Sequence, residues 1–449
     1  MIPVRASGEG RAAVMGLGLR GRAMARALAA GGMAASGWDE DADTRAAAAR
    51  HGVVIEDPTT RDWGDLSALV IDDVSRLDGP ESGPVGLARI TGTPVLTELA
   101  LFGRALTSTG GARAALVLGG DKADAAAELA GACLSRCGLD VRRGGAGVAL
   151  FDAPPLRAGS ITLIAASAAE CAAAPDFHAH ALLVMADAAI STADLEALAM
   201  RVSGPVLLDM DAPDAGARLA ALRRGGVDRA RVTACSGRMV LGDGFYLVGS
   251  RLHDARSGAP RRPLQTAGPG LAGLTPGLIA GAGGLALALG GEPDALEAAM
   301  AFFPGVQGWR NPVTGLGRVQ VFDYAAAQDP KTALAGFTGA APIWWIAHAG
   351  LDAAELPDTL PAALQGVILC GPDARAERRL ASRMACRQAD SLDDALARSL
   401  HAAALTGKDA RILYAPSTRC GPEERRVRSQ TFTAALERLT GLIRKGHAA

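Results

Sequence analysis

The chain has 449 residues, with 46 Lys and Arg against 47 Asp and Glu and a formal charge of −1. That balance excludes a strongly basic nucleic-acid binder and an acidic solvating tail, and a hydrophobic content of 49% excludes wholesale disorder. At roughly 100–200 residues per domain the length predicts two to four domains, each able to bury a core. Only four of the cations are lysines, at Lys122, Lys331, Lys408 and Lys445, so any chemistry that needs an amine has four candidates.

The start Met-Ile-Pro-Val-Arg leads into polar residues without an apolar h-region, which predicts no secretory signal. Seven scattered Cys with no completing His suit buried, reduced thiols in a cytoplasmic protein. Residues 12–15 read as a short apolar strand, followed by Gly16-Leu-Gly-Leu-Arg-Gly21 and an Ala-rich helix to about Ala30. Further apolar runs at 34–38, 68–71 and 94–96 predict more strands of a parallel sheet, and 107–111 reads as a linker. A second pattern opens with a strand at 114–118 and continues through strands at 162–165, 181–185 and 205–208. The uncharged stretch 263–291 is long enough to span a bilayer but is broken by Pro269 and Pro276, which predicts a buried helix after Pro276 and no membrane segment. A third pattern carries strands at 319–322, 342–346, 366–369 and 411–414 and closes with a helix over 429–444. The fold class expected is therefore α/β, in three consecutive domains over 1–110, 111–300 and 301–449.

Gly16, Gly18 and Gly21 follow a strand and open a helix, the context in which glycines let a backbone approach a diphosphate at a helix N-terminus. Arg20 in the same turn would strengthen phosphate binding, and Asp39 at the end of the next strand stands where an acidic residue contacts a ribose hydroxyl or a base. These positions, with Leu17 and Leu19, form the candidate ligand turn. Which nucleotide it takes, NAD(P) included, stays open on the motif alone.

Residues 16–23, Gly-Leu-Gly-Leu-Arg-Gly-Arg-Ala, resemble the opening of the Mur ligases, most closely the D-glutamate-adding members. Gly92-Thr-Pro-Val-Leu-Thr-Glu-Leu-Ala-Leu-Phe102 is similar to the end of that family's first domain. Phe303-Pro-Gly-Val306, Val321-Phe-Asp-Tyr-Ala325, Asp329-Pro-Lys-Thr-Ala-Leu334, Ala415-Pro416 and Arg428-Ser-Gln-Thr-Phe432 follow in the family's order. The resemblance implies a Rossmann-like first domain that holds a UDP-muropeptide, a P-loop-like central domain that binds ATP and Mg²⁺, and a Rossmann-like third domain that brings an amino acid. ATP would phosphorylate a substrate carboxylate and the incoming amine would attack the acyl phosphate. By the same resemblance residues 16–21 would hold the diphosphate, Asp39 would meet the uracil, and Arg310 and Asp323 would belong to a site in the third domain.

The catalytic positions do not follow. A phosphate loop of Gly-Thr-Asn-Gly-Lys-Ser/Thr type reads here Val117-Leu-Gly-Gly-Asp-Lys-Ala-Asp124, so Gly119, Gly120 and a Lys122 displaced by one residue are the only candidate nucleotide loop. Asp121 and Asp124 are expected to cap the following helix with negative charge that competes with phosphate. The family's magnesium segment falls on Ala165-Ala-Ser-Ala168, its Asp-His pair on Ala188-Ala189, its carbamylated lysine near Ala199-Met200 and its His-Asn on Thr275-Pro276. The reading expects no metal site and no catalytic residue. It expects a ligase-like protein of peptidoglycan synthesis that keeps a nucleotide-sugar site, has lost ATP-driven ligation, and partners other peptidoglycan-synthesis proteins. Two alternatives stay open: an active ligase using the displaced Lys122 with ATP and Mg²⁺, and an NAD(P)-binding oxidoreductase. His178 and His180 are expected to be structural, Trp344 and Trp345 core, and Arg378, Arg379, Arg383 and Arg387 a solvated basic face.

Overall fold

A computed structural model describes residues 1–4, 10–60, 62–80, 83–145, 148–256, 262–309, 311–327, 330–334, 340–351, 356–418 and 422–446. Among them the strands form three sheets. In the first, β1 (Arg11–Met15), β2 (Ala34–Trp38), β3 (Val54–Ile55), β4 (Leu66–Ile71) and β5 (Val95–Thr97) pair in the order β3-β2-β1-β4-β5, all parallel. Parallel strands covered on both faces read as continuous apolar runs, and β1 and β4 fit that description, with Val14, Leu69 and Val70 fully buried. The helices α1 (Leu19–Ala30), α2 (Ala42–Arg50), α3 (Pro84–Thr91) and α4 (Glu98–Thr109) connect the strands. The segment expected as a linker is mostly helix: α4 runs through Thr109, and three residues separate it from the next strand, Gly110 and Gly111, both at positive φ, and Ala112.

The second sheet holds β6 (Arg113–Leu118), β7 (Val141–Gly145), β8 (Ile161–Ala166), β9 (Ala181–Val184), β10 (Val206–Asp209), β11 (Val232–Ser236), β12 (Phe245–Val248), β13 (Arg251–Asp254) and β14 (Leu264–Gln265). Their order is β14-β13-β12-β11-β10-β9-β6-β8-β7, parallel except for the antiparallel β12-β13-β14 edge. Around it lie α5 (Asp121–Arg136), α6 (Ala168–Ala172), α7 (Thr192–Met200), α8 (Ala215–Arg224), α9 (Pro276–Ala288) and α10 (Pro293–Ala301). The uncharged α9 starts at Pro276 behind a Thr275 cap and is buried on nearly every side, so its hydrophobicity serves the core. Among the described residues no helix is long and apolar enough to cross a membrane.

The third sheet pairs β15 (Asn311–Leu316), β16 (Val319–Asp323), β17 (Ile343–His348), β18 (Leu364–Cys370), β19 (Cys386–Ala389) and β20 (Ala410–Tyr414) in the order β15-β16-β20-β17-β18-β19, with only β15 antiparallel. Its helices are α11 (Pro330–Leu334), α12 (Ala374–Ala381), α13 (Leu392–Leu405) and α14 (Pro422–Gly446), the last beginning seven residues before the expected 429.

Packing divides the chain into two compact units, one of residues 1–267 and 275–301, the other of 268–274 and 302–449. Within the first unit, the first two sheets share one core. Ile2 donates its N–H to the Phe151 carbonyl at 3.0 Å, and the buried Phe102 ring meets Phe151 edge-on at 6.2 Å and Phe177 at 6.5 Å. Such ring pairs add about 0.5–1.5 kcal/mol beyond the area they bury.

Candidate functional site

The chain leaves β1 at Met15 and enters α1 through Gly16 at φ 83°, a left-handed conformation that favours glycine. A Cβ on Gly16 would fall 1.9 Å from an Asp72 carboxylate oxygen, and one on Gly21 would fall 1.7 Å from the Gly16 carbonyl oxygen. The turn therefore closes only with glycine at both positions. Leu17 is buried and its N–H donates to the Asp39 carboxylate at 2.7 Å, while the Asp41 N–H donates to the other Asp39 oxygen at 3.0 Å. Asp39, expected to face a ligand, is thus a brace of the turn itself. Gly18 caps α1 without any side-chain bond, so no side chain caps the helix end beyond Leu19.

Arg20 departs from expectation. Its guanidinium does not lie free in the turn: it donates to Glu170 at 2.7 Å and pairs with Glu98 at 3.5 Å. The physical reason is local, because two carboxylates at neighbouring helix starts outbid solvent for a partly buried cation. Glu98 is only 5% exposed, accepts the Leu150 N–H at 2.7 Å, and is pushed up from an ordinary 4.5 to about 7 by burial, with Arg20 pulling the other way. Glu170 closes a capping box with Ser167 and so begins α6. Asp72, beside Gly16, is also pushed up by burial, while Arg76 at 2.9 Å opposes the shift. Arg20, Asp72, Thr97, Glu98 and Glu170 line one narrow cleft at the carboxyl ends of β4, β5 and β8.

In the second sheet, β6 leads through Gly119 and Gly120 into α5. The Lys122 N–H donates to Asp187 at 3.2 Å, and a Cβ on Gly119 would stand 2.9 Å from the other Asp187 oxygen. That second oxygen is buried and without a hydrogen-bond partner. A carboxylate therefore sits at the helix start where an anion would be received. It comes from Asp187; the Asp121 side chain lies outside the described residues. Behind it, buried Asp209 accepts the Ala186 N–H at 3.1 Å and the Asp211 N–H at 3.0 Å. Burial raises its pKa, while Lys122 is near enough to favour its ionised form. Arg218, 4% exposed, fixes the segment carrying Asp187 by donating to the Met185 and Ala188 carbonyls at 3.3 and 2.7 Å. The expected Asp-His position reads Ala188-Ala189, and the nearest acidic group is Asp187 directly before it.

In the second unit Asp323 ends β16 almost fully buried, accepting the Ala325 N–H at 3.0 Å and the Ser429 hydroxyl. Burial pushes it up to about 6, against those donors. It ties the strand end to α14. Arg310 lies outside the described residues. The carboxyl end of the same sheet carries His348, whose ring nitrogen is 3.1 Å from the Tyr414 hydroxyl and whose pKa is lowered to about 4 by burial and then by Arg428. Trp345 is core, its indole N–H donating to the Ala415 carbonyl at 2.8 Å. His180 stands 3.4 Å from the Ser203 hydroxyl, and among the described residues no group of three His, Cys, Asp or Glu could hold a metal. Arg378, Arg379, Arg383 and Arg387 are exposed.

Sequence reasoning passed over Glu98, Glu170 and Asp187. The Ser167-x-x-Glu170 capping box was a readable signal for Glu170; Asp187 shows only as the first acid after a buried strand.

No protein-family model matches the chain. It is 28% identical over 372 residues to the UDP-N-acetylmuramoylalanine--D-glutamate ligase of Rhizobium johnstonii, covering 77% of this chain and 76% of that protein. It is 26% identical over 482 aligned positions to the enzyme of the same name from Caulobacter vibrioides, covering 98% of both. Among solved structures it is similar to the UDP-N-acetylmuramate-alanine ligase of Thermotoga maritima, with a TM-score of 0.57 and 14% identity over 96% of this chain and 99% of that one. It is similar also to a pseudomurein peptide ligase type C of Methanothermus fervidus, with a TM-score of 0.51 and 11% identity over 96% of this chain and all of that one. At such identities the structural likeness speaks for the fold.

Proposed function

The chain is a member of the Mur ligase family, and from that premise we propose that it binds UDP-N-acetylmuramoyl-alanine or a related nucleotide sugar without driving ATP-dependent ligation. The glycine turn of 16–21 in the first domain (1–110) would hold the diphosphate, at a helix end with no side-chain cap. The observation that carries the loss of ligation is Asp187. Its carboxylate takes the Lys122 N–H and lies against Gly119 and Gly120, so a triphosphate entering the central domain (111–300) would meet negative charge at close range. The residues present do not fit Mg-ATP: the loop lysine is displaced, its backbone N–H is already taken by Asp187, and its charge already favours the ionised form of Asp209. The protein would then act in the cytoplasm as a binding or assembly partner in peptidoglycan synthesis, the third domain (301–449) contributing Asp323 as a structural carboxylate.

Isothermal titration tests this. Saturable binding of UDP-N-acetylmuramoyl-L-alanine with no heat from Mg-ATP at millimolar concentration is the expected result. Saturable Mg-ATP binding would instead support the second reading, a working ligase using Lys122, which the nearness of Lys122 to Asp209 favours.

A further inference from the structure

Three helix starts converge on the cleft beside the glycine turn. α1 contributes Arg20, α4 contributes Glu98 behind its Thr97 cap, and α6 contributes Glu170 behind its Ser167 cap. We propose that Arg20 is the specificity-determining residue of the nucleotide site, a guanidinium held by Glu170 and Glu98 that a diphosphate must draw away from Glu170. The inference rests on the reading that residues 16–21 receive a nucleotide diphosphate.

Charge decides the argument. One cation stands between two carboxylates, so an anion added without rearrangement meets a net negative cluster. The two glutamates are not equally dependent on Arg20. Glu170 keeps the Ser167 N–H at 2.8 Å and the Ser167 hydroxyl at 3.0 Å, and it is only partly buried, so it tolerates the loss. Glu98 is nearly sealed, with the Leu150 N–H as its other donor, so its bond to the cation is the costlier one to break. Glu170 is therefore the partner that is released. Arg20 is the second residue of α1, and its fork can turn to phosphate oxygens at the same helix start without moving the backbone. A ligand without phosphate gains nothing from the exchange, so the pair discriminates by charge.

The test measures Kd for UDP-N-acetylmuramoyl-L-alanine and for uridine with wild type, Arg20→Gln and Glu170→Gln. Thermal melting confirms that each variant is folded. Glu170→Gln frees the guanidinium and should tighten the nucleotide sugar by about tenfold, while Arg20→Gln should weaken it by about tenfold or more, with uridine moving less than about twofold in both. Wild-type binding that neither substitution alters would overturn the proposal and leave the nucleotide-sugar reading standing. Equal shifts for uridine would also overturn it, since they would mean a structural effect. If neither wild type nor Glu170→Gln binds the nucleotide sugar, the underlying reading fails with it.

Discussion

Replacing Glu98 by Gln should stabilise the first unit at alkaline pH and do almost nothing in acid. Gln keeps an oxygen for the Leu150 N–H and leaves Arg20 with Glu170, so the change removes a buried charge without opening a cavity. The folded carboxyl is raised to about 7 from 4.5. A raised carboxyl makes stability highest below the unfolded value and lowers it as pH climbs from 4.5 to about 7, because the unfolded chain has already released the proton that the folded one retains. At 1.36 kcal/mol per pH unit the loss is about 3 kcal/mol, and Glu98→Gln escapes it. For a unit of roughly 290 residues, that corresponds to a rise in Tm of about 5 °C at pH 8, shrinking to near zero at pH 4. Calorimetric melting of both proteins across that range is the assay. A variant that melts with or below wild type at pH 8, or a gap that ignores pH, would refute the reasoning.

Gly21→Ala puts a methyl 1.7 Å from the Gly16 carbonyl oxygen, a backbone clash that α1 cannot relieve by a rotamer. It should cost about 3 kcal/mol in urea unfolding and abolish nucleotide-sugar binding. Phe151→Ala deletes a fully buried ring that joins the two sheets of the first unit and should cost about 3–5 kcal/mol in the same assay. His348, lowered to about 4, has the opposite sign to Glu98: its contribution is intact above 6.5 and is lost as pH falls through 4. His348→Gln should remove that acid-side loss, of order 3 kcal/mol, from the second unit's melting profile.

Much of the frame was legible because buried parallel strands write themselves as unbroken apolar runs. Residues 68–71, for example, are all buried and lie within β4, and the uncharged helix after Pro276 was read as core. The antiparallel edge was missed: Phe245–Val248 is an apolar run of only four residues, Arg251–Asp254 carries a single apolar residue, and the two are joined by Gly249 and Ser250 alone, at positive φ for Gly249, a turn signal too short to stand out in an Ala- and Gly-rich chain. The glycine turn was legible since its most demanding features are carried by the glycines themselves, a positive φ at Gly16 and the close passage of Gly21 over the Gly16 carbonyl. Its electrostatics were not. Glu170 reaches Arg20 from 150 residues away, and Asp187 reaches the Lys122 amide only because β9 pairs with β6 in the sheet order. The cations that sequence reasoning assigned to phosphate are therefore placed beside carboxylates that only the fold brings to them.

The most direct measurement is phosphate release from the purified protein given UDP-N-acetylmuramoyl-L-alanine, Mg-ATP and D-glutamate together. The account predicts no release above the background without D-glutamate, from a preparation that binds the nucleotide sugar in the same buffer. D-glutamate-dependent phosphate release that disappears in Lys122→Ala would contradict it.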